Sequence, residues 1–332
     1  MARATQVYSA NEWQLAYVAE TTAGTANVTG MSYLNLQSDV TLAWNAFRSA
    51  EAKHGVGRTA KAVDSVTITK GQTKELSFSM LMDCTDFMAF AENWAGEAAD
   101  IADGILDVGV AHAPAAVGLG DTDTDNTGCL TFALVPPYAA EAVVIPGCII
   151  KTLTVSADKG TEGGRFVVDV VAATQGEIST GQANPATPTA YTAPSSLGIY
   201  DLCNETKYGG VDIQLTSFSL TLENNVKFTG ACNEGGWFSA QRGVPEFAVS
   251  GNLAMVIDAK SGDKWEDALT SAGSAISLTD GDNIAITIAK TTVTGDVNVE
   301  RMDDIAIYNI PFKAIADTTG ELLSIEFGEN TA

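Results

Sequence analysis

The feature that most constrains this fold is an alternation of apolar and polar residues in two distant segments with the same layout. Segment 151–171 reads KTLTVSADKGTEGGRFVVDVV, and segment 308–327 reads YNIPFKAIADTTGELLSIEF. In each, an alternating run reaches Ala-Asp, and a short polar turn with Gly leads into a second alternating run. Alternation with period two around such a turn is typical of a β-hairpin. Two hairpins of one design indicate that a larger β-rich unit is repeated.

Segments upstream of the two hairpins also match each other in the same order. The matched pairs are 31–42 with 211–222, 74–83 with 249–258, 84–96 with 261–273, and 126–135 with 281–290. The third pair has a helical period and predicts two short amphipathic helices, whereas the others predict strands. The residues expected to pack these helices on the core are Phe87, Phe90, Trp94, Trp265 and Leu269.

The repeat predicts a mainly β protein with two tandem domains, each with one flanking α-helix. A segment rich in Pro, Gly, Ser and Thr lies between the copies and is expected to be a linker. The expected organisation is an N-terminal arm at 1–29, a first domain at 30–175, a linker at 176–209, and a second domain at 210–332.

The charge of the chain excludes one class of function. Its formal net charge is −23, from 41 acidic and 18 basic residues, which argues against a nucleic-acid binder that depends on neutralising phosphates.

Apolar residues make up 45% of the chain, which excludes global disorder. The apolar runs are too short to span a membrane. The N-terminal sequence has no secretory-signal pattern, so we expect neither a membrane anchor nor export.

No motif in the sequence indicates catalysis or a cofactor. The two histidines, His54 and His112, are not accompanied by a nucleophile-elbow pattern, and no phosphate-binding glycine loop occurs. The five cysteines are widely spaced and predict neither a zinc site nor a disulfide framework. The acidic loop 120–128 departs from a calcium loop at Asn126 and Phe132. We therefore expect no enzyme, cofactor or metal, although cation binding by that loop stays open.

A long segment at 43–75 concentrates basic residues in an otherwise acidic chain. It is predicted to be a loop, and loops of that length are usually functional. Its natural partner is an acidic surface of another copy of the protein. The residues expected to make this contact are Arg48, Lys53, Arg58 and Lys61.

The corresponding segment of the second copy, 227–247, is shorter and aromatic. Exposed aromatic residues beside an arginine are typical anchors of protein interfaces. The expected subunit-interface anchors are Trp237, Phe238 and Arg242.

Taken together, these segments resemble the major tail tube proteins of long, flexible-tailed bacteriophages. The resemblance covers most of the chain except the linker. The segments that carry it are AETTAGT (19–25), LNLQSDVTL (34–42), the strand and helix at 71–96, the hairpin at 145–173, and LTSFSLTLENN (215–225) followed by GVPEFAVSGNLAMVID (243–258).

The resemblance implies β-sandwich or barrel domains that assemble into rings, which stack as a hollow tube for DNA ejection. It implies no catalytic residues. Two tandem domains would close a pseudo-six-fold ring from three chains, although rings of six chains are the alternative. The implied partners are further copies of the chain, the tape-measure, tail-terminator and distal tail proteins, and DNA that passes without sequence-specific binding. The implied location is the virion, after synthesis in the bacterial cytoplasm.

Two other functions remain open from the sequence. One is a different β-rich virion protein, such as a head decoration or tail-completion protein. The other is a carbohydrate-binding β-sandwich, for which GGWFSAQR (235–242) is the candidate stretch.

Overall fold

The structure, a computed structural model, consists of antiparallel strands around one described helix. It describes residues 13–52, 65–95, 105–109, 129–136, 141–160, 163–174, 179–183, 205–224, 226–232, 238–242, 248–259, 261, 273–279, 284–302, 305–318 and 320–328. The described elements of the first half are β1 (Gln14–Ala19), β2 (Ser32–Tyr33), β3 (Thr41–Ala52), β4 (Ser65–Leu81), α1 (Cys84–Ala95), β5 (Ile105–Gly109), β6 (Leu130–Val135), β7 (Glu141–Asp158), β8 (Val167–Thr174) and β9 (Ser179–Ala183).

The described elements of the second half are all strands. They are β10 (Glu205–Tyr208), β11 (Val211–Asp212), β12 (Leu215–Glu223), β13 (Val226–Cys232), β14 (Phe238–Arg242), β15 (Ala248–Val256), β16 (Ser274–Thr279), β17 (Ile284–Val293), β18 (Asn298–Met302), β19 (Ile305–Ala314) and β20 (Glu321–Phe327). Eighteen of the described strands form one hydrogen-bonded network, and β13 pairs with β14 separately. The prediction of a mainly β fold is confirmed.

Eight strands lie side by side in one antiparallel row, which we call the main sheet. Its order is β3-β4-β8-β7-β12-β15-β19-β18. The centre of this row is the pair β7–β12, where β7 of the first half meets β12 of the second half. The hydrogen-bonded sheet therefore passes from one half of the chain into the other without interruption.

Strand β7 belongs to two groups of strands because it bends. Its residues up to Cys148 pair with β6 and β9, whereas it pairs with β8 from Cys148 onward and with β12 from Thr152 onward. The change of partners occurs at Gly147, which has a φ of 70° that residues with a side chain rarely adopt. Strand β17 makes the same change: it pairs with β16 and β20 near its start and with β19 at its end.

The two halves share one order of strand pairing. In the first half the order is β1-β6-β7-β8-β4, and in the second half it is β10-β16-β17-β19-β15. The late strands β9 and β20 also occupy equivalent positions, since each pairs with the first part of the bent strand.

This order corrects the hairpin predicted at 308–327. The turn is present, because the backbone N–H of Asp317 donates to the carbonyl of Glu321 at 3.0 Å. Strands β19 and β20, however, do not pair with each other; both pair with β17. The hairpin at 151–171 does form, as β7 and β8. Its counterpart by pairing is β17 with β19.

Three segments predicted as irregular contain paired strands. Within the predicted arm 1–29, β1 pairs with β6; within the predicted linker 176–209, β9 pairs with β7 and β10 with β16. The predicted loop 43–75 contains most of the β3–β4 hairpin, and residues 53–64 lie outside the described part. Main-chain hydrogen bonds hold such strands without an alternating apolar pattern, so the sequence pattern misses them.

Helix α1 begins after Asp83, whose Oδ1 accepts hydrogen bonds from the backbone N–H groups of Thr85 and Asp86 at 3.0 and 3.3 Å. Asp83 is therefore the N-cap of the helix. The residues of the second predicted helix between 262 and 272 lie outside the described part, including Trp265 and Leu269.

Helix α1 packs into one apolar core that is common to both halves. Phe87, Phe90 and Trp94 are completely buried. The Phe87 ring lies 5.8 Å from that of Phe327 in the second half. The Trp94 carbonyl accepts a 2.6 Å hydrogen bond from the Asn224 amide, at the end of β12.

We expect Trp94→Ala to lower the free energy of unfolding by about 3–5 kcal/mol, because it removes a large buried ring and leaves a cavity. Glu92→Ala, at a half-buried position on the same helix, is the control, with an expected change below about 1 kcal/mol. Denaturant unfolding of both variants measures the difference. A Trp94→Ala loss no larger than that of the control would contradict the packing described here.

Candidate assembly surface

The face of the main sheet that points away from the core is lined with small polar residues. Core positions alternate with these positions along most of β4 and β12 and along the second part of β7, as period two requires. One row of directly paired residues crosses six strands and consists of Ser79, Asp169, Thr154, Thr221, Ser250 and Lys313. The neighbouring rows are also rich in Ser, Thr and Asn, so we call this surface the hydroxyl face.

Side chains on the hydroxyl face bond to each other across strands. The Ser79 hydroxyl donates to the Asp169 carboxylate. The hydroxyls of Thr154 and Thr221 are 3.2 Å apart and join β7 of the first half to β12 of the second. Such cross-strand pairs stabilise a sheet modestly and fix its register.

Charge on the hydroxyl face is mainly negative. Its described carboxylates on β4, β7, β8 and β12 are those of Glu75, Asp158, Asp169 and Glu223, set against Lys151 and Lys313. The ammonium of Lys151 lies 3.2 Å from the Glu75 carboxylate, so part of the positive charge is already neutralised. The face therefore offers little attraction to a polyanion.

The hydroxyl face contains a shallow concavity of about 450 Å³. Its lining comes from both halves and includes Ser79, Ser156, Asp169, Ser219 and Asn252. The concavity lies across the β7–β12 junction. Hydroxyls, amides and the carboxylates of Asp158 and Asp169 are the polar groups that line it.

The main sheet ends on both sides in an edge strand. Among the described strands, β3 has β4 as its one neighbour, and β18 has β19. Edge strands present main-chain N–H and C=O groups that can pair with another chain. The ends of the main sheet are therefore candidate contacts for assembly.

Apolar exposure in the described part is concentrated at the β18 end. Val299 in β18 is 65% exposed and Ile305 at the start of β19 is 49% exposed, and these are the exposed large hydrophobic residues among those described. The opposite end has a matching feature. An open groove of about 760 Å³ runs beside the start of β3 and is lined by Trp13, Leu36, Gln37, Ser38, Asp39, Val40 and Leu134.

The predicted inter-ring residues lie on or beyond the β3–β4 hairpin. Arg48 is in β3, where its backbone pairs with Thr69. Lys53, Arg58 and Lys61 lie outside the described residues. From Trp44 to Ala52 the described partner of β3 is β4 alone, so this part is a two-stranded ribbon on the order of 30 Å long.

The predicted interface anchors fall around the separate hairpin β13–β14. The backbones of Phe238 and Arg242 pair with Cys232 and Val226, whereas Trp237 lies outside the described part.

Glu20, in the AETTAGT segment, makes a buried contact that the sequence pattern did not identify. It is 7% exposed. Its carboxylate accepts hydrogen bonds from the Thr131 hydroxyl at 2.6 Å and from the backbone N–H groups of Gly147 at 2.7 Å and Gly24 at 2.6 Å. Burial raises the pKa of Glu20, and these three hydrogen bonds oppose that increase. The signal in the sequence is a glycine four residues after Glu20. Gly24 takes a φ of 80°, which residues with a side chain rarely adopt, and its N–H binds the Glu20 carboxylate.

A second buried carboxylate lies at the start of α1. The Tyr17 hydroxyl donates to Asp86 Oδ1 at 2.8 Å. Burial raises the pKa of Asp86 to about 6, the hydrogen bond from Tyr17 opposes this, and the charge of Asp83 adds to it. Burial beside Asp86 also raises the pKa of Tyr17 far above its usual range.

Neither a metal centre nor a membrane-spanning helix occurs in the described ranges. No group of three His, Cys, Asp or Glu side chains there is placed to hold a metal ion. No helix in that part of the chain is both long and apolar enough to cross a membrane. The acidic loop 120–128 is not among the described residues.

Comparison with known proteins adds no relative, because no protein-family model matches the chain and no curated protein matches it.

We expect Asp86→Asn to change how stability depends on pH. The folded-state pKa of Asp86 lies above its ordinary value of 3.8, so its contribution is fully present below about pH 4 and is lost as the pH rises through about 6. The free energy of unfolding of Asp86→Asn relative to the parent should therefore rise by roughly 2–3 kcal/mol from pH 4 to pH 8. Denaturant unfolding across this range measures it.

Tyr17→Phe is the matched variant, because it removes the hydrogen bond that favours ionised Asp86. It should move the pH-dependent loss to higher pH. A constant difference between Asp86→Asn and the parent across the whole range would contradict the assignment to Asp86.

Proposed function

We propose that this chain is a structural protein of the virion that assembles with copies of itself into stacked rings. The rings form the hollow tail tube of a long-tailed bacteriophage, and DNA leaves the virion through it. The tape-measure, tail-terminator and distal tail proteins are the proposed partners at the lumen and the ends of the tube.

The observation that carries this proposal is the form of the main sheet. One face is covered by the apolar core, the hydroxyl face opposite it contains one concavity, and both ends are edge strands. A sheet of this form becomes a closed wall when neighbouring copies continue it, and closure satisfies the main-chain groups of its edges. The hydroxyl face then lines the interior.

Each chain supplies two tandem β-sandwich or barrel domains in this proposal. The support is the common pairing order β1-β6-β7-β8-β4 and β10-β16-β17-β19-β15. Each half contributes four strands to the main sheet. Three chains therefore make a ring with the symmetry of six similar units.

The chemistry of the hydroxyl face suits a conduit for DNA. Carboxylates such as Asp169 and Glu223 repel phosphates, and short hydroxyl side chains offer few tight contacts. The lysine of the Lys151–Glu75 pair is held by a carboxylate at 3.2 Å. DNA can then slide past this surface without being held, because strong binding would require phosphate neutralisation by free cations.

The β3–β4 ribbon is the proposed contact between rings. The ribbon extends past the end of β8, because β4 pairs with β8 only from Lys74 onward. The basic residues Arg48, Lys53, Arg58 and Lys61 lie on it or in the segment that joins its strands. An acidic surface of the adjacent ring is the complementary partner.

Electron microscopy of the purified protein tests the tube directly. We expect hollow filaments made of stacked rings, and a cryo-EM reconstruction should show three chains in each ring. Rings of six chains would contradict the two-domain arrangement but not the tube. Discrete particles at every concentration would contradict the tube and favour another role in the virion, such as head decoration or tail completion.

Reversing Arg48, Lys53, Arg58 and Lys61 to Glu should give folded rings that fail to stack. The same contact in the parent should weaken as salt rises past the point where the Debye length is about 8 Å. Sedimentation and negative-stain microscopy at several salt concentrations measure filament length.

The control for this prediction reverses Lys207 and Lys290, which lie on β10 and β17, away from the ribbon. This control should still form filaments. Normal filaments from the ribbon variant would contradict the proposed contact between rings, and short filaments from both variants would mean that total charge matters more than the ribbon.

A further inference from the structure

We propose that the β18 edge of one chain pairs antiparallel with the β3 edge of a second copy of this chain, with Val299 opposite Leu42. The inference rests on the proposed self-assembly and specifies its interface within a ring. It assigns the occupant of each edge, the register, and the residues that become buried.

The template for this contact lies inside the chain, at the β7–β12 junction. There β7 is the outer strand of the group β4-β8-β7, and β12 is the outer strand of the group β12-β15-β19. The two strands pair antiparallel with Leu220 opposite Val155. A junction of this kind is already compatible with the shape and twist of both halves.

Strand β18 takes in the second half the position that the end of β7 takes in the first. Met80 of β4 pairs with Val168, which pairs with Val155. Met255 of β15 pairs with Tyr308, which pairs with Val299. The methionines stand at equivalent points of equivalent strands, so Val299 is the counterpart of Val155.

Strand β3 takes in the first half the position of β12 in the second. Leu76 lies four residues before Met80 in β4 and pairs with Leu42 of β3. Gly251 lies four residues before Met255 in β15 and pairs with Leu220 of β12. Leu42 is therefore the counterpart of Leu220. Replacing each partner of the internal junction by its counterpart places Leu42 opposite Val299.

This register gives compatible neighbours along the whole contact. Leu42 is half-buried against the core cluster, and Val299 would extend the same apolar surface. Like charges directly opposite each other would destabilise the pair, and this register places none there. The further pairs are Ala43 with Asn298, Thr41 with Glu300, Val40 with Arg301, and Asp39 with Met302.

The exposed apolar residues and the open groove fit the same contact. Inside the chain, the turn after β7 lies against the start of β12, where the Lys159 N–H donates to the Thr216 carbonyl at 3.0 Å. By the same placement, the end of β18 would lie against the segment before β3. Ile305, at the start of the next strand, is 49% exposed, and the segment before β3 lines the groove beside Leu36 and Val40. One contact would thus cover both exposed hydrophobic residues of the described part.

The two edges differ, so the contact runs head to tail and leaves a new β18 edge on every added chain. Such a contact closes into a ring when the rotation per chain divides a full turn. Internal β7–β12 junctions then alternate with β18–β3 junctions around the ring.

A double variant, Ala43→Cys with Asn298→Cys, tests the register. These positions are the counterparts of Thr221 and Thr154, whose hydroxyls are 3.2 Å apart in the internal junction. Mild oxidation of the assembled protein should give covalent products of two and three chains on non-reducing gels. Each single variant should give less than about a tenth of that product.

The control pair is Ala43→Cys with Val299→Cys, which is one residue out of register and places the thiols on opposite faces. It should cross-link at least tenfold more slowly than the matched pair. Equal rates, or assembly without cross-linking of the matched pair, would overturn the register but leave self-assembly standing. A protein that stays monomeric at every concentration would instead contradict the proposed function.

Val299→Lys tests the edge without cysteines. A lysine here meets the apolar side of β3, so ring formation should need at least tenfold more protein in sedimentation. Thr287→Lys adds the same charge at an exposed position of β17 and should assemble as the parent does. Circular dichroism of both variants establishes that they fold. Equal assembly of folded Val299→Lys and the parent would contradict the β18 contact.

Discussion

The arrangement of the strands depends on how the Glu20 carboxylate holds Gly147. That glycine is the point where β7 leaves the partners β6 and β9 and joins β8 and β12. The carboxylate fixes the bend by accepting a hydrogen bond from its N–H at 2.7 Å, and it ties the same place to the segment after β1 through Gly24 and to β6 through Thr131. Without a fixed bend, β7 could not serve both strand groups, and β12 would lose the strand on which the second half is built.

The sequence predicted elements better than it predicted their partners. Alternation located β4, β7, β8 and β15, and the helical period located α1 with its buried Trp94. Both signals are local, since a strand or a helix face is visible in the spacing of its own residues. Partner choice is not local, and so the alternation around the turn at 317–320 predicts a hairpin although its two strands pair with β17 at different places. The same limit concealed β1, β9 and β10, which main-chain bonds hold.

The candidate assembly surface was partly visible in the sequence as well. Ser and Thr at alternate positions of Ser77–Ser79 and Ser217–Thr221 are the residues of the hydroxyl face. Their alignment into one row follows from the pairing, which a single sequence does not reveal. The apolar residues at the β18 end were missed for a different reason. Val299 and Ile305 resemble ordinary core residues in sequence, and only the absence of a described neighbouring strand distinguishes them.

Strand β5 has a consequence for how the chain reaches its folded state. It comes directly after α1 and a short stretch outside the described residues, yet its partner is β20, about two hundred residues later in the chain. Leu106 and Val108 are buried in that place, so they stay exposed to water during synthesis until the last strand has emerged. Contacts of such long range slow folding. The first half therefore cannot complete its packing until β20 of the second half is available to pair with β5.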